Sequence, residues 1–489
     1  MRTFWRNLIA GATATALVVG LSVSMNSAAE PKKAAATAKV EVKAKADAKP
    51  IAKKAPAVKP AKAPPPPWVE PKLPGGKEIL TETGADFLKP VGELPAGVTV
   101  AKTAPTVELL MYPGQTYEGK PWSNWGDGCF ANGKFYSAFG DHLSPQGTGR
   151  VFEYDPATKK LRQIVDLKSF YKRPEGTYSP AKIHSRLDMA PDGYLYFSTH
   201  RGSPSTTNDT YHYMGDDILR VDPKTAKVEV VAVAPAGKHC IPTSVVDPER
   251  MIFYGGTAAG VTDKKNPSAS DVKFLAYDLK NKKTLYVGDA GPPRCIIWAK
   301  STGKVYFVPG TQGQGEVVRF DPANPGTPTP IGIEFAARTC TFETPQGKIY
   351  CVASGQNDPD PNIYEFDVKT EKVKSLGAAA IGGVKYIASM DADPTGRYVY
   401  YIPGAHGHAD RDGTPVIQFD TKTNTKKVIA FLSEHFRTKY GMWPDGTYCT
   451  VLSDDGSTLY ACFNTQRGTK NWDHCTMAAI HIPESERQP

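Results

Sequence analysis

Pro191-Asp-Gly-Tyr-Leu-Tyr196 and, further along, Val221-Asp-Pro-Lys-Thr-Ala-Lys227 are the two stretches whose recurrence decides the fold. The first is a tight polar turn running into an aromatic strand. It returns as Ala131-Asn-Gly-Lys-Phe-Tyr136, Asp247-Pro-Glu-Arg-Met-Ile-Phe253, Ser301-Thr-Gly-Lys-Val-Tyr306, Pro345-Gln-Gly-Lys-Ile-Tyr350, Pro394-Thr-Gly-Arg-Tyr-Val-Tyr400 and Asp454-Asp-Gly-Ser-Thr-Leu-Tyr460. The second is an aromatic residue or Val, then Asp, then a short Lys/Thr-rich turn, at Tyr154-Asp155, Tyr277-Asp278, Phe320-Asp321, Phe366-Asp367 and Phe419-Asp420 as well. The two alternate strictly, as hairpins between strands one and two and between strands three and four of a repeating unit would.

The Asp of the second signature recurs at intervals of 67, 56, 43, 46 and 53 residues, the size of a four-stranded propeller blade with variable loops. The reading is therefore all-β, a seven-bladed β-propeller. Seven turns of the first kind stand against six of the second, so the last blade lacks its outer strand. Thr106-Val-Glu-Leu-Leu-Met-Tyr112, an alternating stretch ahead of the first blade, is expected to supply it, closing the ring and removing an exposed sheet edge.

Outward from the repeats, the chain divides into a signal peptide over 1–29, a Lys/Ala/Pro-rich disordered linker over 30–67, a lead-in over 68–105 and the propeller over 106–489. Arg2 and Arg6 precede an apolar run from Leu8 to Val23, and Ser27-Ala28-Ala29 follows as a small-residue cleavage site. The expectation is a bacterial secreted or periplasmic protein, membrane-anchored if the signal stays uncleaved. The net charge of +9 belongs to this N-terminal region: residues 31–67 hold ten Lys against Glu41 and Asp47, and residues 1–30 hold Arg2, Arg6 and Glu30. The folded part is left neutral, which removes nucleic acid from the partners. The basic linker is expected to touch the cell envelope, and the protein to be a monomer.

Eight Cys in an exported chain, with no CxxC or CxxCH spacing, point to disulfides and exclude haem attachment. A two-residue turn at Asp455-Gly456 places Cys449 opposite Cys462 at bridging distance. Cys340 and Cys351 flank the equivalent turn of the fifth blade. Cys240 with Cys295, and Cys129 with Cys475, are the remaining pairings considered.

Propeller topology puts the second-to-third-strand loops and the connectors between blades on one face. By that assignment nine of the ten His lie there, and only His481 does not. A one-sided His distribution is what a functional site predicts. Tyr178, His184, Arg186, His200 and Arg201 form a set able to abstract a proton beside a carboxylate that Arg neutralises, as β-elimination from uronic acids requires. Asp141, His142, Arg437, Tyr440, Gln466 and Arg467 are candidate ligand-binding residues. Trp122, Trp125, Tyr211, Tyr213 and Trp443 are candidates for stacking on sugar rings. His142, His200, His406 and His408 could hold a divalent metal, with His406-Gly-His408 presenting two rings on one side of an extended segment.

These Tyr-Asp-Pro-x-Thr-x-Lys turns and Pro-Asp-Gly-x-Leu-Tyr-Phe strands resemble those of the propeller group that includes streptogramin lyases and gluconolactonase-like proteins. The resemblance covers about 124 to 482 and implies the architecture, with metal-assisted elimination as one activity. His406-x-His408 is similar to the HxH pair of oligogalacturonate lyases, although Ile402-Pro-Gly-Ala405 stands where the Gln of that pattern would be. Gluconolactonase-like proteins imply acids in the channel, for which Asp188 and Asp391 are available. The expected function is a lyase acting on an acidic saccharide. The alternatives are a non-catalytic ligand- or protein-binding propeller of the cell envelope and a metal-dependent lactonase or esterase.

Overall fold

The computed structural model describes residues 67–488, except 259–261, 264–265, 268–271, 311–314, 336 and 354–360. The signal peptide and nearly all of the linker lie outside the described residues. No helix among the described residues is long and apolar enough to cross a membrane.

Each repeat becomes an antiparallel four-stranded blade. Blade 1 comprises Cys129–Ala131, Lys134–Phe139, Arg150–Asp155 and Lys160–Asp166; blade 2, Asp188–Met189, Leu195–Ser198, Ile218–Asp222 and Lys227–Ala232. Blade 3 comprises Thr243–Asp247, Ile252–Gly256, Lys273–Asp278 and Lys283–Asp289; blade 4, Ile297–Trp298, Val305–Phe307, Glu316–Phe320 and Thr329–Glu334. Blade 5 comprises Thr339–Cys340, Lys348–Val352, Asn362–Asp367 and Lys372–Ala378; blade 6, Met390–Ala392, Tyr398–Tyr401, Pro415–Asp420 and Thr425–Phe431. Blade 7 is built from Met442–Leu452, Thr458–Arg467 and Lys470–His481, and Thr106–Met111 completes it in the register Thr106↔His481 to Met111↔Thr476.

The recurring residues have physical reasons. The Gly of the first signature takes a left-handed φ in six blades, between 68° and 84° at Gly133, Gly193, Gly303, Gly347, Gly396 and Gly456. A side chain there would be strained. In blade 3 Met251 occupies the same turn at φ 54°. The Asp of the second signature closes its turn with its own carboxylate, which accepts a downstream backbone N–H at 2.8–2.9 Å in all six cases, as from Ala157 to Asp155 and Lys422 to Asp420. The aromatic of the second strand packs between blades: Tyr136, Tyr196, Tyr254, Tyr306, Tyr350, Tyr400 and Tyr460 are all buried.

The lead-in is more structured than its composition suggests. Ile79–Thr83 adds a fifth strand to blade 7, and Val98–Val100 pairs in parallel with Thr425–Phe431 of blade 6. Leu80, Phe87 and Ala101 are buried in the core between these two blades. Each large apolar side chain so buried contributes about 1.5–3 kcal/mol, so the segment acts as a brace across the closing joint.

Cys449 and Cys462 are Cα partners across their hairpin, as are Cys340 and Cys351. All eight thiols are free in the structure. Cys295 sits against Cys340 rather than against Cys240, whose thiol lies 3.3 Å from the Tyr213 hydroxyl. The proposed bridge between Cys240 and Cys295 is therefore not the neighbour relation the fold creates. Cys475 neighbours Cys462, and Cys129 lies beside Arg186 and Asp188, so these two do not neighbour each other either.

Candidate functional site

The inner strands begin at one mouth of the central channel, and the connectors leading into them deliver the side chains of that mouth. Trp125, His184, Arg294, Arg338 and Tyr448 line one cavity with Asp127 and Arg186. They come from the connectors into blades 1, 2, 4 and 5 and from within the inner strand of blade 7, which no local stretch of sequence brings together. Trp125 can sit there because Gly126 beside it admits the neighbouring blade: a Cβ at Gly126 would stand 2.4 Å from the Ser185 carbonyl oxygen.

Within this lining, Arg186 donates through Nε to Asp188 at 2.9 Å and lies 4.1 Å over the Phe342 ring. Asp188 also accepts the Val246 N–H, and Asp391 the Leu452 N–H, so each carboxylate ties its inner strand to the next blade. Burial raises the carboxyls of Asp127, Asp188 and Asp391, that of Asp391 to about 6. Burial alone would lower Arg186, but Asp188, Asp127 and Asp391 outweigh it and hold the guanidinium above its ordinary value. Arg186, expected as a catalytic group, is thus already neutralised by the channel wall.

Arg294 and Arg338 line the same cavity without an ion pair among the described residues. Arg338 donates to the Tyr386 hydroxyl at 2.6 Å and to the Ala388 carbonyl at 3.4 Å, and Arg294 reaches only the Pro293 carbonyl at 3.4 Å. Neither pairs with a carboxylate among the described residues. Burial and then Arg338 push the Arg294 guanidinium below its ordinary value. Burial alone would lower Arg338, but Tyr386, Tyr448 and Asp127 outweigh it and hold its guanidinium above its ordinary value. Asp127 is thus the acid nearest the pair, and the two guanidinium groups suit an anionic ligand.

Neutral imidazoles surround this pair. His184 donates from Nδ1 to the Pro242 carbonyl at 2.9 Å, leaving Nε2 as its acceptor. Burial, then Arg294, Arg338 and Lys182, hold it well below the usual His range. His200 lies edge-on to it at 5.2 Å and is depressed in the same way, by burial and then His184. His142 donates from Nδ1 to the Pro121 carbonyl at 3.2 Å and accepts from Lys182 at 2.7 Å. Burial and Lys182 lower His142 to about 4, while burial and Arg201 lower Lys182 itself to about 7. His406 stacks on Tyr386 at 4.3 Å, and burial with Arg338 and Arg294 brings it to about 4.

Aromatic rings join these groups into one wall. Trp125 contacts His142, His184, Tyr448 and Trp472 at 5.2–5.8 Å, with the Lys182 ammonium 4.2 Å over its ring. The Tyr448 hydroxyl is buried without a hydrogen-bond partner, as is the indole N–H of Trp125. Asp445, three residues before Tyr448, is raised to about 7 by burial and the neighbouring Asp410.

Several expected site residues are turned elsewhere. Tyr178 is fully buried and donates to Asp216 at 2.7 Å; burial and Asp216 push its phenol far up, which removes it as a base at ordinary pH. Asp141 accepts from Leu143 N, Thr148 N and the Tyr117 hydroxyl, an internal brace for its loop. Arg437 pairs with Asp410 and Glu434 and lies 4.3 Å over Trp443. Tyr440 bonds Glu82 of the lead-in, Gln466 reaches the Gly468 carbonyl, and Arg467 pairs with Asp473 at 2.7 Å. Arg201 lies close enough to Lys182, His200 and Cys240 to perturb all three. Among the proposed stacking rings Trp125 lines the cavity, whereas Trp122 and Tyr213 are buried in the core.

His142, His200, His406 and His408 do not gather into one donor set among the described residues. His406-Gly-His408 is a turn rather than an extended segment: Gly407 donates to the Gly404 carbonyl, with φ 90° at Gly407 and 65° at His408. The His, Asp and Cys donors that do gather are His200, Asp216 and Cys240. His435 bonds Glu82, His474 is buried beside Asp473 and His481 bonds Thr458, all away from the cavity.

Sequence reading missed Lys182, Arg294, Arg338, Tyr386, Tyr448 and Asp445. Repeat phase was the available signal, since Arg294 and Arg338 stand within three residues of an inner strand, as Arg186 does.

No family model and no curated protein matches the chain. Among solved structures it is similar to an oligogalacturonate lyase from Vibrio parahaemolyticus, at 11% identity and TM-score 0.48 over 84% of this chain and 98% of that one. It is also similar to the β-propeller domain of the trilobed protease from Pyrococcus furiosus, at 10% identity and TM-score 0.43 over 75% and 97%. A chain of a mitotic checkpoint complex matches at 11% and 0.47 over 77% and 94%. Such scores carry no function across, and the architecture rests on the blades themselves.

Proposed function

We propose that the channel mouth binds a carboxylate-bearing saccharide and that the protein is a lyase acting on it. The observation that carries this reading is the pair Arg294 and Arg338, which forms no ion pair among the described residues, in a cavity walled by Trp125, His184 and Tyr448. Guanidinium groups suit planar, bidentate recognition of a carboxylate, and Trp125 offers a ring for a sugar face.

Neutralising the carboxylate acidifies the adjacent C–H. His184 Nε2 takes that proton, a C=C bond forms, and the β C–O bond breaks with its electron pair leaving on oxygen. The Tyr448 hydroxyl, which has no other partner, returns a proton to the leaving oxygen. Both groups start neutral, the imidazole able to accept and the phenol able to donate; the step leaves His184 protonated and Tyr448 ionised, and transfer of one proton from His184 to Tyr448 through solvent resets the site.

Incubation with a panel of uronic-acid polymers, followed by ultraviolet absorbance of the conjugated unsaturated product, tests the reaction. Absorbance that grows with time and is lost in His184→Ala supports it. Binding without product would instead leave a non-catalytic propeller, and a hydrolysed ester or lactone without unsaturation would point to the metal-dependent alternative.

A further inference from the structure

One buried cluster beside the cavity takes no part in the proposed reaction. His200 follows the second strand of blade 2, Asp216 precedes its third strand, and Cys240 lies in the connector into blade 3. One ligand atom from each lies within 4.8 Å of the other two, and all three residues are buried. They staple three successive segments of the rim.

We propose that His200, Asp216 and Cys240 form a site for a transition-metal ion of the zinc class. The donor chemistry selects the ion: imidazole and thiolate favour Zn(II) over Mg(II) or Ca(II), which prefer oxygen. Three protein donors leave a fourth tetrahedral position for water or a ligand. Their charges also suit the ion, because a neutral imidazole, a thiolate and a carboxylate balance a dication.

The surroundings support the donors. Asp216 accepts from the Tyr178 hydroxyl and the Thr199 hydroxyl, each at 2.7 Å, and the Tyr213 hydroxyl lies 3.4 Å from its other oxygen. Hydrogen bonds of this kind orient a ligating carboxylate. His200 is more telling: the residue is 8% exposed, yet its Nδ1 is buried with no hydrogen-bond partner among the described residues. A tyrosine and threonine network alone would satisfy Asp216 and leave that nitrogen orphaned, at a cost of about 1–3 kcal/mol. Burial and His184 keep His200 well below the usual His range, so its ring is ready to ligate without first losing a proton. Burial and Asp216 raise the Cys240 thiol, so the metal must displace its proton: the S–H bond breaks, a metal–sulfur bond forms and one H⁺ is released to solvent.

The test uses the full chain, reduced, stripped with a chelator and titrated with Co(II) or Zn(II). One equivalent is expected to bind, and Co(II) is expected to show a thiolate charge-transfer band in the near ultraviolet. Cys240→Ser should abolish the band, and both Cys240→Ser and His200→Gln should weaken binding roughly 100-fold or more. The double variant His406→Ala/His408→Ala should bind as the parent does. X-ray absorption of the zinc-loaded parent needs no variant and should show one sulfur at about 2.3 Å with the remaining ligands nitrogen or oxygen at about 2.0 Å. Failure of the folded parent to bind, absence of sulfur from the shell, or a band that persists in Cys240→Ser overturns the assignment.

Discussion

Replacing Arg338 by Gln separates affinity from stability. Arg338 is buried and gives up two hydrogen bonds, to the Tyr386 hydroxyl and the Ala388 carbonyl, each with a net value of about 1 kcal/mol. The desolvation of the buried cation and its repulsion from Arg294 are outweighed by Tyr386, Tyr448 and Asp127, which hold the guanidinium above its ordinary value. A Gln amide can restore one of the two bonds at no charge cost. Thermal stability is therefore expected to change little. Binding should fall, because truncating one partner of a desolvated charge pair costs about 2–4 kcal/mol, roughly 30-fold to several hundredfold in Kd. Calorimetric titration with a uronic-acid oligosaccharide and its neutral counterpart measures the effect, and melting curves give the stability. The reasoning is refuted if Arg338→Gln binds the acidic oligosaccharide within twofold of the parent, or if its melting temperature falls as a broken ion pair would make it fall.

Lys182 gives a pH signature. Its folded-state value of about 7 lies below the ordinary lysine value of 10.5, so the unfolded chain binds the extra proton between those limits and stability rises as pH goes from about 7 to about 10. Denaturant melts of the parent and Lys182→Met across that window should show a steeper rise in the parent, and parallel profiles would contradict it. Leu109 in the closing strand is fully buried, so Leu109→Ala should lose about 2–5 kcal/mol, whereas removal of residues 1–66 should leave the melting temperature unchanged. Cys449 and Cys462 face each other in register; non-reducing peptide mapping of exported protein should recover them as one linked peptide, and finding either bridged elsewhere would reject the pairing.

The residues legible in advance were those whose role is local. The turn glycines are readable because a left-handed φ must be met within four residues, and the turn Asp because its carboxylate bonds its own backbone. The second-strand tyrosines are readable because each blade repeats the same interface. The closing strand was legible from a mismatch in turn counts together with the alternation of Thr106–Met111. The site was less so, since a connector residue has several directions to face. Tyr178 and His184 stand in one connector, yet Tyr178 turns to Asp216 and His184 to the channel. Arg186 and Arg338 stand at similar points of different blades, yet the first pairs with Asp188 and the second donates to the Tyr386 hydroxyl. Those differences arise from neighbours in other blades. His406-Gly-His408 was misjudged for a local reason, because Gly407 accepts the positive φ that turns the pair away from extended geometry.

A structure of the protein with a bound uronic-acid oligosaccharide tests the central claim most directly. The account predicts a sugar carboxylate within hydrogen-bonding distance of Arg294 and Arg338, with a ring face against Trp125. A saccharide seated elsewhere on the propeller, or one whose carboxylate points away from both guanidinium groups, would contradict it.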